Sequence, residues 1–108
     1  MLAKTPEPPY YAVIFTSIPG SDSSGYAEMA EKMLSLASKQ PGFLGVETAR
    51  GAIGISVSYW KDLPSIARWK ANAEHRIAQK IGRDKWYASF KTRVALVEKE
   101  TGMDTQKD

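Results

Sequence analysis

The segment that decides the fold runs from Ile53 to Tyr87 and reads IGISVSYWKDLPSIARWKANAEHRIAQKIGRDKWY. It holds the chain's only histidine, His75, and all three of its tryptophans, Trp60, Trp69 and Trp86. This aromatic content indicates either an unusually aromatic core or the walls of a pocket for a flat, apolar ligand. The choice depends on where the fold places each ring.

The segment itself predicts a strand followed by a helix. Residues 53–59 are rich in β-branched and aromatic side chains, which is typical of a strand. Asp62 is a suitable N-cap, and Pro64 falls in the first helical turn, where its missing N–H costs nothing. An apolar stripe then marks one helical face, and Gly82 is a natural terminator. The stripe consists of Ile66, Trp69, Ala73, Ile77 and Ile81.

The flanking sequence predicts four further secondary-structure elements and the turns that separate them. Turn residues 19–24 precede the first predicted helix and offer several helix caps, and Pro41 with Gly42 ends that helix. Residues 49–52 suit a hairpin connection. The predicted elements are a strand at 10–18, a helix at 25–39, a strand at 43–48 and a strand at 87–98.

The order β-α-β-β-α-β defines an α+β fold. Right-handed crossovers turn it into a ferredoxin-like arrangement, a four-stranded antiparallel sheet with two helices on one face. The first strand, YYAVIFTSI, is apolar at both alternating sets of positions, so both of its faces should be buried. Because the helices cover only one face, we expect a homodimer that packs sheet against sheet.

Composition limits the function classes. The net charge of +3 is spread among acidic neighbours without a basic stripe, so we expect no nucleic-acid partner. With no cysteine and one histidine, disulfides and thiolate catalysis are excluded and a metal site is disfavoured. The start MLAKTPEPP has no apolar run, and no segment reaches the ~18 apolar residues of a membrane helix. We therefore expect no signal peptide, no membrane contact and a cytoplasmic location. We also expect a disordered leader at 1–9, a single domain at 10–99 and a flexible tail at 100–108.

Dispersed motifs suggest a family. They are PGFLGVE at 41–47, SVSYW at 56–60, Trp69, EH at 74–75, AQ at 78–79, GR at 82–83 and WY at 86–87. From residue 10 to residue 98 this pattern resembles the antibiotic biosynthesis monooxygenase family. The resemblance implies a ferredoxin-like fold that dimerises into an α+β barrel. Members of that family include cofactor-free oxygenases of polycyclic aromatic compounds, haem-degrading enzymes and proteins without known activity.

The haem-degrading branch is disfavoured. It uses an asparagine on strand 1, a tryptophan on helix 2 and a histidine further along that helix. Trp69 matches the tryptophan, but strand 1 contains no asparagine. His75 comes six residues after Trp69, about a turn too early, since the branch's histidine falls nearer Gln79.

Two candidates lie on helix 2. Trp69 belongs to the apolar stripe, either as a core residue or as a pocket wall that stacks on a ligand. On one straight helix His75 points about 180° away from Ile66, toward solvent. A break near Ala71, with Asn72 capping a fresh helix, would redirect His75 into the pocket. There its imidazole, with a pKa of about 6.5, could act as the catalytic base.

The remaining candidates flank that helix. Arg83 either pairs with a nearby carboxylate or carbonyl, or steadies an anionic ligand oxygen at a pocket mouth. Trp86 and Tyr87 are expected to pack at the dimer seam, and Trp86 is also a candidate for substrate binding. Tyr59 and Trp60 are further substrate-binding candidates. Since adjacent strand residues point to opposite faces, one should face the helices and the other the partner sheet.

The leading hypothesis is a dimeric, cofactor-independent monooxygenase-like protein. It would bind a small or polycyclic aromatic substrate between sheet and helices, and the residues present require no metal or other cofactor. The alternative is a non-catalytic dimer for small-molecule binding or stress response that uses the same cavity.

Overall fold

Four strands form one antiparallel sheet, and two helices pack on the same side of it, as predicted. The computed structural model describes residues 2–22, 24–80 and 86–103, and of residues 74–80 the backbone alone. The elements are β1 (Tyr10–Pro19), α1 (Tyr26–Ser38), β2 (Phe43–Ala49), β3 (Gly54–Trp60), α2 (Leu63–Lys80) and β4 (Tyr87–Val97). The strand order β2-β3-β1-β4 is that of the ferredoxin-like fold, which confirms the predicted fold class.

The register of the sheet decides which side chains meet the helices. Val13 of β1 lies opposite Ser58 of β3 and Val94 of β4, so these residues share the helix-side face. The next position along β1, Ala12, pairs with Tyr59 and therefore belongs to the opposite face. We call this second surface the far face. The two helices pack mainly on β2 and β3, and on the β1–β4 half of the helix side Phe90 and Val94 remain 41% and 51% exposed.

A single tryptophan joins the sheet to the helices. Trp60, at the end of β3, is fully buried. Its ring meets Phe43 edge to face at 5.4 Å and stacks on Trp69 of α2 at 6.1 Å between ring centroids. Ala37 of α1 and Ile66 of α2 complete this cluster. Burying a ring of this size against both helices contributes a few kcal/mol and fixes α2 over the sheet.

The two helices begin in different ways. Asp62 caps α2 as predicted, since its Oδ1 accepts the backbone N–H of Ser65 at 2.9 Å and the Ser65 hydroxyl at 2.6 Å. These two hydrogen bonds hold the pKa of Asp62 below its usual range. The side-chain cap expected for α1 is absent, because Gly25 occupies the N-cap with φ 78° and makes no side-chain bond. A left-handed backbone favours glycine at that position over a capping serine.

The alternative of a break in α2, which would redirect His75 into the pocket, does not occur. α2 runs without interruption from Leu63 to Lys80, so Asn72 lies inside the helix and begins no new one. The apolar stripe needs no break to remain on one face. Among the described residues no helix is long and apolar enough to cross a membrane.

We predict that Gly42→Ala destabilises the fold strongly. Gly42 has φ +90°, and a Cβ there would lie 2.1 Å from Ser65 Oγ and 2.6 Å from Ser65 Cβ. Ser65 cannot easily move aside, because it is buried and its hydroxyl is bonded to Asp62. Strain and overlap together should lower the free energy of unfolding by roughly 2–4 kcal/mol, or Tm by about 10–20 °C.

The matched control is Gly51→Ala. A Cβ at Gly51 meets no atom within 4 Å, so its unfolding free energy should change by less than about 0.5 kcal/mol. Urea unfolding of the two variants compares them directly. Equal stabilities would show that the strained turn at Gly42 relaxes freely.

Candidate ligand-binding cleft

A cleft of about 1060 Å³ lies between the helices and the helix-side face of the sheet. Its floor includes three small residues of β3, Gly54, Ser56 and Ser58. Because these side chains are short, the helices remain lifted from this part of the sheet and space is left between the layers. The aromatic rings that line the cleft are Phe15, Tyr26, Phe43, Trp69, Trp86, Tyr87 and Phe90.

Trp69 closes one end of the cleft. It is half-buried, stacks on Trp60 and also lines the cavity. Trp69 therefore packs against the core and also lines the cleft, and its stacking on a ligand stays a prediction. Trp60 lies behind it, and its indole N–H is used internally by donation to Ser58 Oγ at 2.8 Å.

A second aromatic cluster closes the opposite end. Tyr26, the first residue of α1, meets Trp86 at 5.8 Å and Tyr87 at 5.7 Å, both edge to face. Trp86 is buried and donates its indole N–H to the Ser24 carbonyl at 3.0 Å. Both residues of the pair 86–87 line the cleft. Within one chain they contact Tyr26 of α1 and Phe15 of β1, and their place at a dimer seam stays a prediction.

Arg50 joins this second cluster. Its guanidinium carbon lies 4.3 Å from the centroid of the Tyr26 ring, a cation–π contact. Arg50 belongs to the connection between β2 and β3, which the sequence analysis treated only as a hairpin turn. The predicted topology alone could have placed Arg50 near the start of α1. The β2–β3 turn, the start of α1 and the start of β4 all lie at one end of an antiparallel ferredoxin-like sheet.

Tyr59 lies on the far face, away from the cleft. Its hydroxyl donates to Glu47 Oε1 at 2.7 Å, and its ring meets Tyr10 edge to face at 5.8 Å. The expectation that Tyr59 and Trp60 face opposite ways is confirmed. As a substrate-binding residue Tyr59 would have to act from the other side of the sheet.

Chain segments before β1 and after β4 meet on the far face. Glu47 Oε2 accepts the backbone N–H of Ala3 at 2.9 Å. Glu100 accepts hydrogen bonds from the hydroxyls of Thr5 and Tyr10. These bonds lower the pKa of Glu100, and the Glu100 contact raises that of Tyr10.

Two candidate residues cannot be placed. His75 lies on α2, but its side chain is outside the described residues, and Arg83 is outside them altogether. Both remain predictions. In the described part of the chain, no three histidine, aspartate or glutamate side chains are grouped to hold a metal ion.

Tyr87 is a neutral hydrogen-bond donor at neutral pH. Burial, and after it the contact with the Tyr26 hydroxyl, raises the pKa of Tyr87 far above its ordinary value. Its hydroxyl lies 3.5 Å from that of Tyr26, a long donor contact. The charged residues that line the described cleft are Glu31, Arg50 and Lys70.

Two known proteins are similar in sequence. The uncharacterized protein YqjZ of Bacillus subtilis is 52% identical over 101 residues, which cover 92% of this chain and 89% of YqjZ. Jasmonate monooxygenase ABM of Pyricularia oryzae is 30% identical over 92 residues, which cover 81% of this chain and 43% of that longer protein. No family model matches the chain.

Solved structures share the fold. PA3566 from Pseudomonas aeruginosa superposes with a TM-score of 0.66 at 12% identity, over 89% of this chain and 99% of that one. SnoaB from Streptomyces nogalater, a cofactor-independent oxygenase, superposes with a TM-score of 0.61 at 12% identity, over 92% and 98%. At these identities the likeness is one of fold.

The strand order, the helices on one side and the cleft beneath them define a ferredoxin-like protein with the architecture of these solved structures. The chain belongs to the family of YqjZ, and its similarity to a protein named ABM and to solved structures of this fold agrees with the resemblance inferred from its motifs.

We predict that the free energy of unfolding falls at alkaline pH as the Tyr59 hydroxyl ionises. Burial, followed by the hydrogen bond to Glu47, raises the pKa of Tyr59 to about 12. A raised pKa means that the folded state favours the neutral ring. Its contribution is therefore complete below the ordinary value of about 10 and is lost as pH rises toward 12.

Urea unfolding between pH 8 and pH 12 tests this effect. Tyr59→Phe should be about 1 kcal/mol less stable than the wild type at pH 8, since it loses one hydrogen bond. The difference should shrink between pH 10 and pH 12. Parallel stability curves for the two proteins would contradict the assignment.

Proposed function

We propose that the protein is a cofactor-independent monooxygenase whose aromatic substrate binds between the sheet and the helices. The observation that carries the proposal is the cleft of about 1060 Å³, with aromatic rings at both ends and small side chains on its floor. A cavity of this size suits a flat, polycyclic molecule. The names of two similar proteins, a jasmonate monooxygenase and a cofactor-independent oxygenase, support this reaction class.

The proposed reaction needs no external reductant. A ring methylene flanked by aromatic rings, as in an anthrone, loses a proton to a base and becomes an electron-rich anion. The anion gives one electron to O₂, and the resulting radical and superoxide combine and take up a proton to form a hydroperoxide. Loss of water leaves a carbonyl, so one oxygen atom enters the product and the other leaves as water.

The side chains of the cleft have two tasks in this scheme. The Trp69 ring stacks on the substrate and, with its aromatic neighbours, excludes water, so the anion reacts with O₂ in a low-dielectric site. The base is the proposed role of His75, the chain's only histidine, because an imidazole suits proton abstraction near pH 7. The unbroken α2 counts against this role, since a straight helix sets His75 about 180° from Ile66.

The second candidate function is non-catalytic binding of a small aromatic molecule in the same cleft. One observation favours it: the described lining supplies aromatic rings at both ends of the cleft, which suffice for binding. Binding needs only the aromatic walls, whereas oxygenation also needs a base.

Oxygen uptake with an anthrone substrate tests the reaction. Wild-type protein should consume O₂ faster than a protein-free control. Trp69→Ala should raise KM about tenfold, because a lost aromatic wall is worth about 1–2 kcal/mol. His75→Ala should lower kcat by at least about 100-fold if imidazole is the base.

Two controls accompany these variants. Lys32→Ala changes an exposed α1 residue that does not line the cleft and should leave kcat and KM unchanged. Trp69→Phe keeps a ring and should retain most of the affinity. Substrate binding without O₂ uptake above the control would refute the oxygenase and leave the binding function.

We further propose a homodimer formed through the far face, which carries no helix. Covering that face would bury its aliphatic residues Ile14, Ile55 and Val57, of which Ile55 is 41% exposed in one chain. Light scattering should then give twice the chain mass of 11.9 kDa. A measured mass of one chain at micromolar concentration would refute the dimer.

A further inference from the structure

We propose that the end of the cleft at Arg50 is an anion subsite, so that the ligand is an aromatic acid rather than a neutral aromatic molecule. A carboxylate on the ligand would lie between the Arg50 guanidinium and the Tyr26 hydroxyl, with the ring system extending toward Trp69. The inference deepens the proposed function, because it concerns the same cleft.

The charge of Arg50 is not neutralised within the described residues. No carboxylate pairs with its guanidinium there, and its recorded contact is with the face of the Tyr26 ring. Contact through a ring face uses none of the five N–H donors of an arginine. The side chain is thus held in place while its donors stay available for a planar acceptor such as a carboxylate.

Tyr26 adds a hydroxyl donor at the same position. The Tyr87 hydroxyl is neutral and donates toward the Tyr26 oxygen over 3.5 Å. The Tyr26 proton has no acceptor among the described residues, so it is free for a ligand. Arg50, Tyr26 and Tyr87 all line the cleft, which brings a cation and an O–H donor to its otherwise aromatic end.

Position along the sheet sets the size of the ligand. Tyr26, Arg50 and Tyr87 lie at the Gly54 end of β3, whereas Trp69 stacks at its Trp60 end. Seven residues of β3 separate these ends by about 20 Å. An acid with two or more fused rings can therefore place its carboxylate at Arg50 and still lie between the aromatic walls.

Two matched probes test the subsite: anthracene-2-carboxylate and its neutral analogue anthracene-2-carboxamide. Binding is followed by quenching of tryptophan fluorescence at pH 7.5 and low salt. The wild type should bind the carboxylate roughly tenfold more tightly than the carboxamide, because a hydrogen bond to a charged group is stronger than a neutral one. The preference should weaken at 0.5 M salt.

Variants then locate the effect. Arg50→Gln should abolish the preference by weakening carboxylate binding alone, and Arg50→Lys should keep part of it. Tyr26→Phe should reduce carboxylate affinity a few-fold. Lys32→Gln removes an exposed cation of α1 outside the cleft and should change neither affinity. Thermal melts confirm that each variant folds.

The outcomes separate this inference from the oxygenase. Equal affinity for the two probes, or a preference that survives Arg50→Gln, overturns the subsite even if anthrones are oxidised. Carboxylate-selective binding that depends on Arg50 supports the subsite even if no O₂ is consumed. If neither probe binds, both the subsite and the aromatic-ligand cleft are refuted.

Discussion

The stack of Trp60 on Trp69 is the contact on which the rest of this structure depends. It joins the end of β3 to α2, and Phe43 of β2 meets the same ring from its edge. Because Trp60 is fully buried, the distance between α2 and the sheet is set by the thickness of two indoles at this point. The small residues Ser56 and Ser58 further along β3 cannot fill that distance. The cleft therefore results from the bulky Trp60–Trp69 stack lying next to the small side chains of β3.

Much of this arrangement could be predicted from the sequence. Alternation of apolar residues, the cap at Asp62 and the stop at Gly42 are local signals, and local physics decides them. The helical phase of Trp69 gave its position, because α2 is regular. The alternative break at Asn72 does not occur, since an asparagine inside an otherwise favourable helix does not by itself end it.

What the sequence did not predict depends on tertiary contacts. The β1–β4 pairing shifts register between Ile18 and Pro19, so alternation along β4 does not carry over to Trp86 and Tyr87, whose place at a dimer seam stays a prediction. Gly25 caps α1 because the backbone turns left-handed there, which the preceding serines and aspartate concealed. Arg50 acquires a role only through Tyr26, 24 positions earlier in the chain. A turn residue carries no sequence signal for such a contact.

The N–H and O–H groups of several aromatic residues are used in hydrogen bonds within the protein. Trp60 gives its N–H to Ser58, Trp86 gives its N–H to Ser24, and Tyr59 gives its O–H to Glu47. None of these groups is left for a ligand, and of the three rings only Trp86 lines the cleft. Within the described cleft, the Tyr26 hydroxyl and the Arg50 guanidinium keep free donors, and both lie at one end. Ligand orientation would then be set mainly at that end, whereas Trp69 at the other end offers a ring face and an indole N–H that has no partner among the described residues.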